Sequence, residues 1–223
     1  MKTRMILTGI AAVLLAAPLA AQAADFAKPR YGALPAYFAP GLAGWTGFYI
    51  GINGGYGFGS SDWDIPAVSV DPQGALVGGT IGYNLQTGTW VWGIEGDFDW
   101  SGIKGDAPCG VWSCETKNDW LATARLRVGY AGFSNWLPYI TAGAAFGDVK
   151  ASNSVLTAAS KTMFGWTAGA GIEYAWPTNW SVKVEYLYAD LGSFDCGVSC
   201  GATAPDNVSF TANIVRAGVN YRF

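Results

Sequence analysis

The sequence predicts an all-β fold: an eight-stranded antiparallel transmembrane β-barrel with short periplasmic turns and long extracellular loops. Three observations predict it. First, long stretches alternate strictly. Residues 90–100, WVWGIEGDFDW, place Trp90, Trp92, Ile94, Gly96, Phe98 and Trp100 in one phase and Val91, Gly93, Glu95, Asp97 and Asp99 in the other. Period two is the mark of a strand with unlike faces. Second, the chain is apolar without a spanning helix. Hydrophobic residues make up 51% of its 223 residues and charged residues 13%, against ~25% charged in soluble domains. Beyond the amino-terminal segment, no apolar run approaches the ~18 residues of a membrane helix. The remaining way to satisfy a backbone in lipid is to close a sheet. Third, the intervals between strand candidates alternate between short and long, as in outer-membrane barrels.

The elements follow in order. Lys2 and Arg4 precede an apolar stretch from Met5 to Ala21, and Ala21-Gln22-Ala23 supplies a small-x-small cleavage site. This is the pattern of a secretory signal peptide, residues 1–23, so the mature chain is expected to begin at Ala24. Residues 24–44 contain Pro29, Pro35 and Pro40 and hold no period; they read as an extended periplasmic linker. The barrel is expected over 45–223. Its strands fall near 46–58, 74–85, 90–103, 118–131, 136–149, 162–176, 179–192 and 208–223. The short connections are 86–89, 132–135 and 177–178; the long ones are 59–73, 104–117, 150–161 and 193–207. An even strand number returns both ends of the barrel to the periplasmic side.

Four cysteines form two close pairs, Cys109 with Cys114 and Cys196 with Cys200. Each pair falls in a long loop. In an exported chain these read as two local disulfides. Zinc is the alternative, but the spacings are unusual for it and the chain has no histidine.

Periodicity alone leaves open which face is inside. One phase collects five acids, Glu95, Asp97, Asp99, Glu173 and Glu185, and five bases, Arg125, Arg127, Lys183, Arg216 and Arg222. Three arguments place it in the lumen. The charged phase is rich in glycine, which weakens strands and is easier to explain in a crowded interior. An eight-stranded barrel has room only for side chains or one small ligand, too little for the many Trp and Tyr of the apolar phase. Finally, aromatics recur ten residues apart within single strands: Phe48 and Phe58, Trp90 and Trp100, Trp120 and Tyr130, Trp166 and Trp176. Ten residues in a strand tilted by about 40° climb roughly 25 Å, the height of an apolar band between two aromatic girdles. These eight, with Trp180, are expected to face lipid. The charges, hidden in a narrow lumen, are expected to interlock, because unpaired buried charge is costly.

Catalytic chemistry finds little support. Without histidine, Ser-His-Asp and Cys-His arrangements and the commonest metal ligand are absent. No enzyme activity, cofactor or metal is expected. Removing residues 1–23 leaves 11 basic against 16 acidic residues, a net charge of −5, which argues against a nucleic-acid partner.

Three segments resemble a known family. Trp45-Thr46-Gly47-Phe48-Tyr49-Ile50-Gly51 after a Pro-rich lead, Val184-Glu185-Tyr186-Leu187-Tyr188-Ala189-Asp190-Leu191-Gly192, and the ending Val215-Arg216-Ala217-Gly218-Val219-Asn220-Tyr221-Arg222-Phe223 are similar to small alphaproteobacterial outer-membrane barrels. These are the porin-family or outer-membrane immunogenic proteins, related to OmpA-like barrels. The resemblance implies location in the outer membrane of a Gram-negative bacterium, exposed immunogenic loops and a role in envelope integrity. It implies that Val219, Tyr221 and Phe223 form an assembly signal read by the barrel-insertion machinery. Outer-membrane lipid, lipopolysaccharide and periplasmic chaperones are the further partners expected. Two other functions compete: a narrow channel for small solutes, and ligand or host-surface binding through loops 104–117 and 193–207. Trp63 and Trp112 lie in long loops and either pack there or contact a partner.

Overall fold

The computed structural model describes residues 44–63, 68–109, 112–153, 159–195 and 207–223. The expected signal peptide and nearly all of the expected linker lie outside them. Among the described residues nine strands form: β1 (Gly47–Trp63), β2 (Val68–Val70), β3 (Gln73–Thr87), β4 (Trp90–Cys109), β5 (Trp112–Tyr130), β6 (Trp136–Asn153), β7 (Ala159–Ala175), β8 (Trp180–Asp195) and β9 (Asn207–Arg222). Neighbours pair antiparallel in the order β1-β3-β4-β5-β6-β7-β8-β9, and β9 returns to β1 from Tyr49↔Arg222 to Trp63↔Val208. These eight strands close a barrel with no free edge, the condition for a sheet in lipid. β2 is a short extra strand on the end of β1, pairing Ser61↔Val70.

Tight turns occupy one end. Gly88-Thr89 links β3 to β4, and Gly88 has φ +63°, a left-handed conformation that glycine adopts without steric cost. The β5–β6 turn places Ser134 at φ +56° and is closed by the Phe133↔Trp136 bridge.

At the other end the strands run beyond their expected limits. The expected long loop 104–117 is mostly a continued hairpin, paired from Lys104↔Lys117 to Cys109↔Trp112. The expected loop 59–73 contains the end of β1 and all of β2. The cause is physical. Beyond the apolar band both faces of a strand can be polar, so the amphipathic period fades while the hydrogen-bond ladder continues.

Three irregularities sit near this end: Trp100/Ile103 in β4–β5, Asn118/Leu121 in β5–β6, and Asp190/Ser193 in β8–β9. In β5 the irregularity reverses the phase. Leu121, Thr123, Arg125 and Arg127 are buried at odd positions, whereas Thr116 and Asn118 are buried at even ones. An extra residue in a strand has this effect.

The interior is layered. Toward the turns, Trp45, Val91, Ala131, Leu137 and Ala175 form one apolar cluster. Toward the long connections, residues including Leu76, Ile103, Leu121, Val149, Leu187 and Phe210 form another. The charged side chains occupy the levels between: along β4, Val91 precedes Glu95, Asp97 and Asp99, and Ile103 follows them. The outer wall is apolar and open. Ile52 is 72% exposed, Leu126 66% and Trp100 64%. Such a continuous surface is a membrane-contact surface.

Candidate functional site

The middle of the lumen is an ion-pair lattice built on strand register. Glu95 lies directly opposite Arg125, Glu173 opposite Lys183, and Glu185 opposite Arg216. Cross-strand partners on one face are a few ångströms apart, and two of these register pairs, Glu95–Arg125 and Glu185–Arg216, are ion pairs; Glu173 and Lys183 instead turn to Arg127 and to Glu95. The chains also reach across the lumen. Arg125 bonds Glu95, Asp97 (2.7 Å) and Glu185 (3.0 Å). Arg216 bonds Asp97 (2.9 Å), Asp99 (2.7 Å) and Glu185 (2.8 Å). Lys183 Nζ is 2.9 Å from Glu95 and 3.4 Å from Glu185. Arg127 pairs with Glu173 and lies 3.7 Å from Glu95. Nine of the ten expected lumen charges are therefore joined in one lattice. All nine are buried.

Arg222 is the exception and corrects the expectation. It takes part in none of these ion pairs; its guanidinium lies 5.3 Å from the Trp45 ring centroid. Arg222 is the second-to-last residue, at the turn end of β9. It lies beside the apolar Trp45 cluster, near enough to Glu173 to feel its charge but without an ion pair.

Uncharged residues complete the lattice. Thr80 and Thr123 donate to Asp97 at 2.9 and 2.7 Å. Ser181 and Asn220 donate to Glu173. Tyr49 donates to Glu95 at 2.7 Å and Tyr139 to Glu185 at 3.3 Å. Both tyrosines lie over glycines. A Cβ on Gly82 would fall 2.4 Å from the Tyr49 ring, and one on Gly171 would fall 2.6 Å from Tyr139. Arg127 stacks on the Tyr139 ring, 3.6 Å from its centroid. The arrangement occurs twice: Tyr49, Gly82, Glu95 and Arg125 on β1–β5, and Tyr139, Gly171, Glu185 and Arg216 on β6–β9. Sequence reasoning did not single out Tyr49, Thr80, Thr123, Tyr139, Ser181 or Asn220, although each lies in the inward phase of its strand. The signal was polarity or glycine in that phase, not charge.

The aromatic residues expected to face lipid lie on the outer wall. Phe48, Phe58, Trp90, Trp100, Tyr130, Trp166, Trp176 and Trp180 are exposed, and Trp120 is half-buried. Trp120 falls at the β5 irregularity and stacks on Phe98 at 5.9 Å. Val219 and Phe223 are exposed and Tyr221 half-buried. Phe223 N donates to Phe48 O at 2.9 Å across the closing seam. Cys196 and Cys200 lie outside the described residues. Cys109 and Cys114 are placed only by backbone register, opposite Trp112 and Ala107, so the pairing of the four falls outside what is described.

The charges of this site neutralise one another. Each of Glu95, Asp97 and Glu185 carries two or more basic partners. Among the described residues no three His, Cys, Asp or Glu side chains are grouped to hold a metal ion.

The sequence matches the family model of the outer membrane protein beta-barrel domain over residues 9–223. The chain belongs to this family. Among relatives of this outer-membrane barrel is the 31 kDa outer-membrane immunogenic protein of Brucella melitensis, 37% identical over 203 residues, covering 80% of this chain and 84% of that one. The 25 kDa outer-membrane immunogenic protein of Brucella abortus is 32% identical and aligns over 100% of both chains. Among solved structures, Neisserial surface protein A covers 81% of this chain and 100% of its own at a TM-score of 0.51 and 16% identity. That likeness concerns the fold. The chain is thus an integral outer-membrane β-barrel of a Gram-negative bacterium. Its tight turns mark the periplasmic end and its extended hairpins the extracellular end.

Proposed function

We propose that this protein is a closed structural barrel that strengthens the outer membrane and presents its extracellular hairpins as a surface antigen. The filled lumen carries this reading. A lattice of nine charges crosses the middle, with an apolar cluster on either side along the barrel. An aqueous path would need room for water through all three levels, and eight strands leave room only for side chains or one small ligand. The antigen role is supported by the names of the two Brucella relatives. The long β4–β5 hairpin, reaching Cys109↔Trp112, is the surface that would be presented, with disulfides Cys109–Cys114 and Cys196–Cys200 tying its tip and the β8–β9 connection. Val219, Tyr221 and Phe223 serve as the insertion signal, a reading supported by their place at the end of the closing strand and just beyond it. We read the lumen acids as structural and not catalytic, because bases share the same levels.

Planar-bilayer recording tests the closed lumen. Purified folded protein is expected to give no discrete conductance steps. Reproducible steps from the pure protein would establish the competing channel function instead.

A further inference from the structure

Among the described residues, four bases lie outside the lumen phase and its seam: Lys104, Lys117, Lys150 and Lys161. All four stand at the extracellular ends of β4 to β7. Three form one row. Lys104 lies directly opposite Lys117, and Lys117 directly opposite Lys150. The adjacent Ile103, Thr116, Asn118 and Val149 are buried inside the barrel, so the three lysines project from the outer wall. Lys117 does so only because the β5 irregularity reverses the phase.

Like charges placed directly opposite one another destabilise a sheet. Asp119 offsets part of this cost. It lies 2.7 Å from Lys117 Nζ and also pairs with Lys150. Lys150 also reaches Asp148 at 3.9 Å. Lys104 meets no acid among the described residues. The side chains of Lys117 and Lys150 keep 44% and 40% of their surface open.

The height of the row is informative. Lys104 comes four residues after Trp100, Lys117 three before Trp120, and Lys150 four after Phe146. Each is thus displaced by a similar amount from an outward aromatic residue. Three or four residues in a strand tilted by about 40° climb roughly 8–10 Å. The polar headgroup layer extends about 5–7 Å beyond the hydrocarbon, and a lysine stem can reach back toward it. Below the row lies an aromatic platform in which Phe98 packs on Trp100 at 5.4 Å and Trp120 at 5.9 Å. One outward step above it, Asp106 and Glu115 stand directly opposite each other, which confines a bound anion to the lysine level.

We infer that Lys104, Lys117 and Lys150 form a binding site for the phosphate groups of a phosphorylated outer-leaflet glycolipid, whose acyl chains lie on the aromatic platform beneath. The site depends on the outer-membrane location and is independent of whether the lumen conducts.

Native mass spectrometry of the folded full chain in nanodiscs, titrated with diphosphoryl lipid A, tests this. Each surface lysine near an anionic headgroup contributes about a fivefold factor. The Lys104→Gln/Lys117→Gln/Lys150→Gln variant is therefore expected to retain the lipid at least about tenfold more weakly. The triple arginine variant is expected to retain it, and Lys161→Gln is expected to match the unaltered chain. Monophosphoryl lipid A is expected to bind more weakly, and millimolar inorganic phosphate to leave the lipid bound. Heat-shifted gel mobility establishes that each variant is folded. Equal retention by the folded triple-glutamine variant would overturn the site, as would an equal loss in Lys161→Gln. Displacement by inorganic phosphate would reduce it to a simple anion site.

Discussion

Arg216 and Arg222 are both arginines of the inward phase of β9, six residues apart, yet their surroundings give them unlike weights. Arg216 bonds three carboxylates, Asp97, Asp99 and Glu185, in the interior. Replacing it with methionine leaves those acids short of positive charge where water cannot compensate. The expected cost is about 3–5 kcal/mol, the range for breaking a buried pair by removing one partner. Arg222 makes no ion pair among the described residues; it has the Trp45 ring at 5.3 Å and Glu173 only as a more distant charge, and Arg222→Met is expected to cost about 1 kcal/mol or less. Urea unfolding of both variants in detergent, followed by tryptophan fluorescence, measures the two costs. Equal losses would mean that the lattice does not distribute stability as its contacts indicate.

At the scale of elements, the tyrosine seats join strands beyond their backbone ladders. Tyr49 leaves β1, lies over Gly82 of β3 and ends on Glu95 of β4. One side chain thus links three strands at the seam where the barrel begins. A methyl group at Gly82 would meet the Tyr49 ring at 2.4 Å, and the ring is held at its far end by the bond to Glu95. Gly82→Ala is expected to destabilise the barrel by about 1–3 kcal/mol, the usual cost of overpacking. Gly88→Ala is expected to act through turn strain alone, because nothing lies within 4 Å of a Cβ there. Adding Tyr49→Ala separates the effects. It should recover part of the loss from Gly82→Ala and none of the loss from Gly88→Ala in equilibrium unfolding.

For the whole molecule, closure and filling act together. The seam between β1 and β9 removes the last free edge, and the layered interior holds the wall from within. A barrel so built opens only as a unit, since releasing any strand exposes backbone groups to lipid. Folded protein in dodecyl sulfate without heating is expected to migrate differently from the boiled chain, with no stable intermediate species. A single mobility regardless of heating would contradict the closed barrel. The same closure explains how the outer wall can be apolar over most of its height while the chain contains only 13% charged residues. The charges are concentrated in the lumen and at the extracellular end.

The alternation of WVWGIEGDFDW and its counterparts made eight strands, their faces and the girdle readable, because within the membrane each strand separates lipid from lumen and its sequence must obey period two. The five acids and five bases of one phase were readable for the same reason. The parts left to the tertiary structure are those where that constraint lapses. Past the apolar band, the outer face of β4 and β5 turns polar, with Lys104 and Asp106 outward against Ile103 and Ala107 inward, so the oily-outside pattern that marks a spanning strand no longer holds, and β2 is too short to show one. Inside, Ile103, Leu187 and Ile214 lie in the charged phase, and only the shape of the barrel gathers such residues into an apolar layer. An irregularity in β5 turns Lys117 outward beside Lys104 and Lys150, which no count along the sequence could foresee. The sequence by itself determined a membrane barrel with an ionic interior, because burial in lipid acts on every residue of a spanning strand. Which charges meet, which arginine stands apart and which lysines align were decided by register and closure, which arise only when distant strands pair.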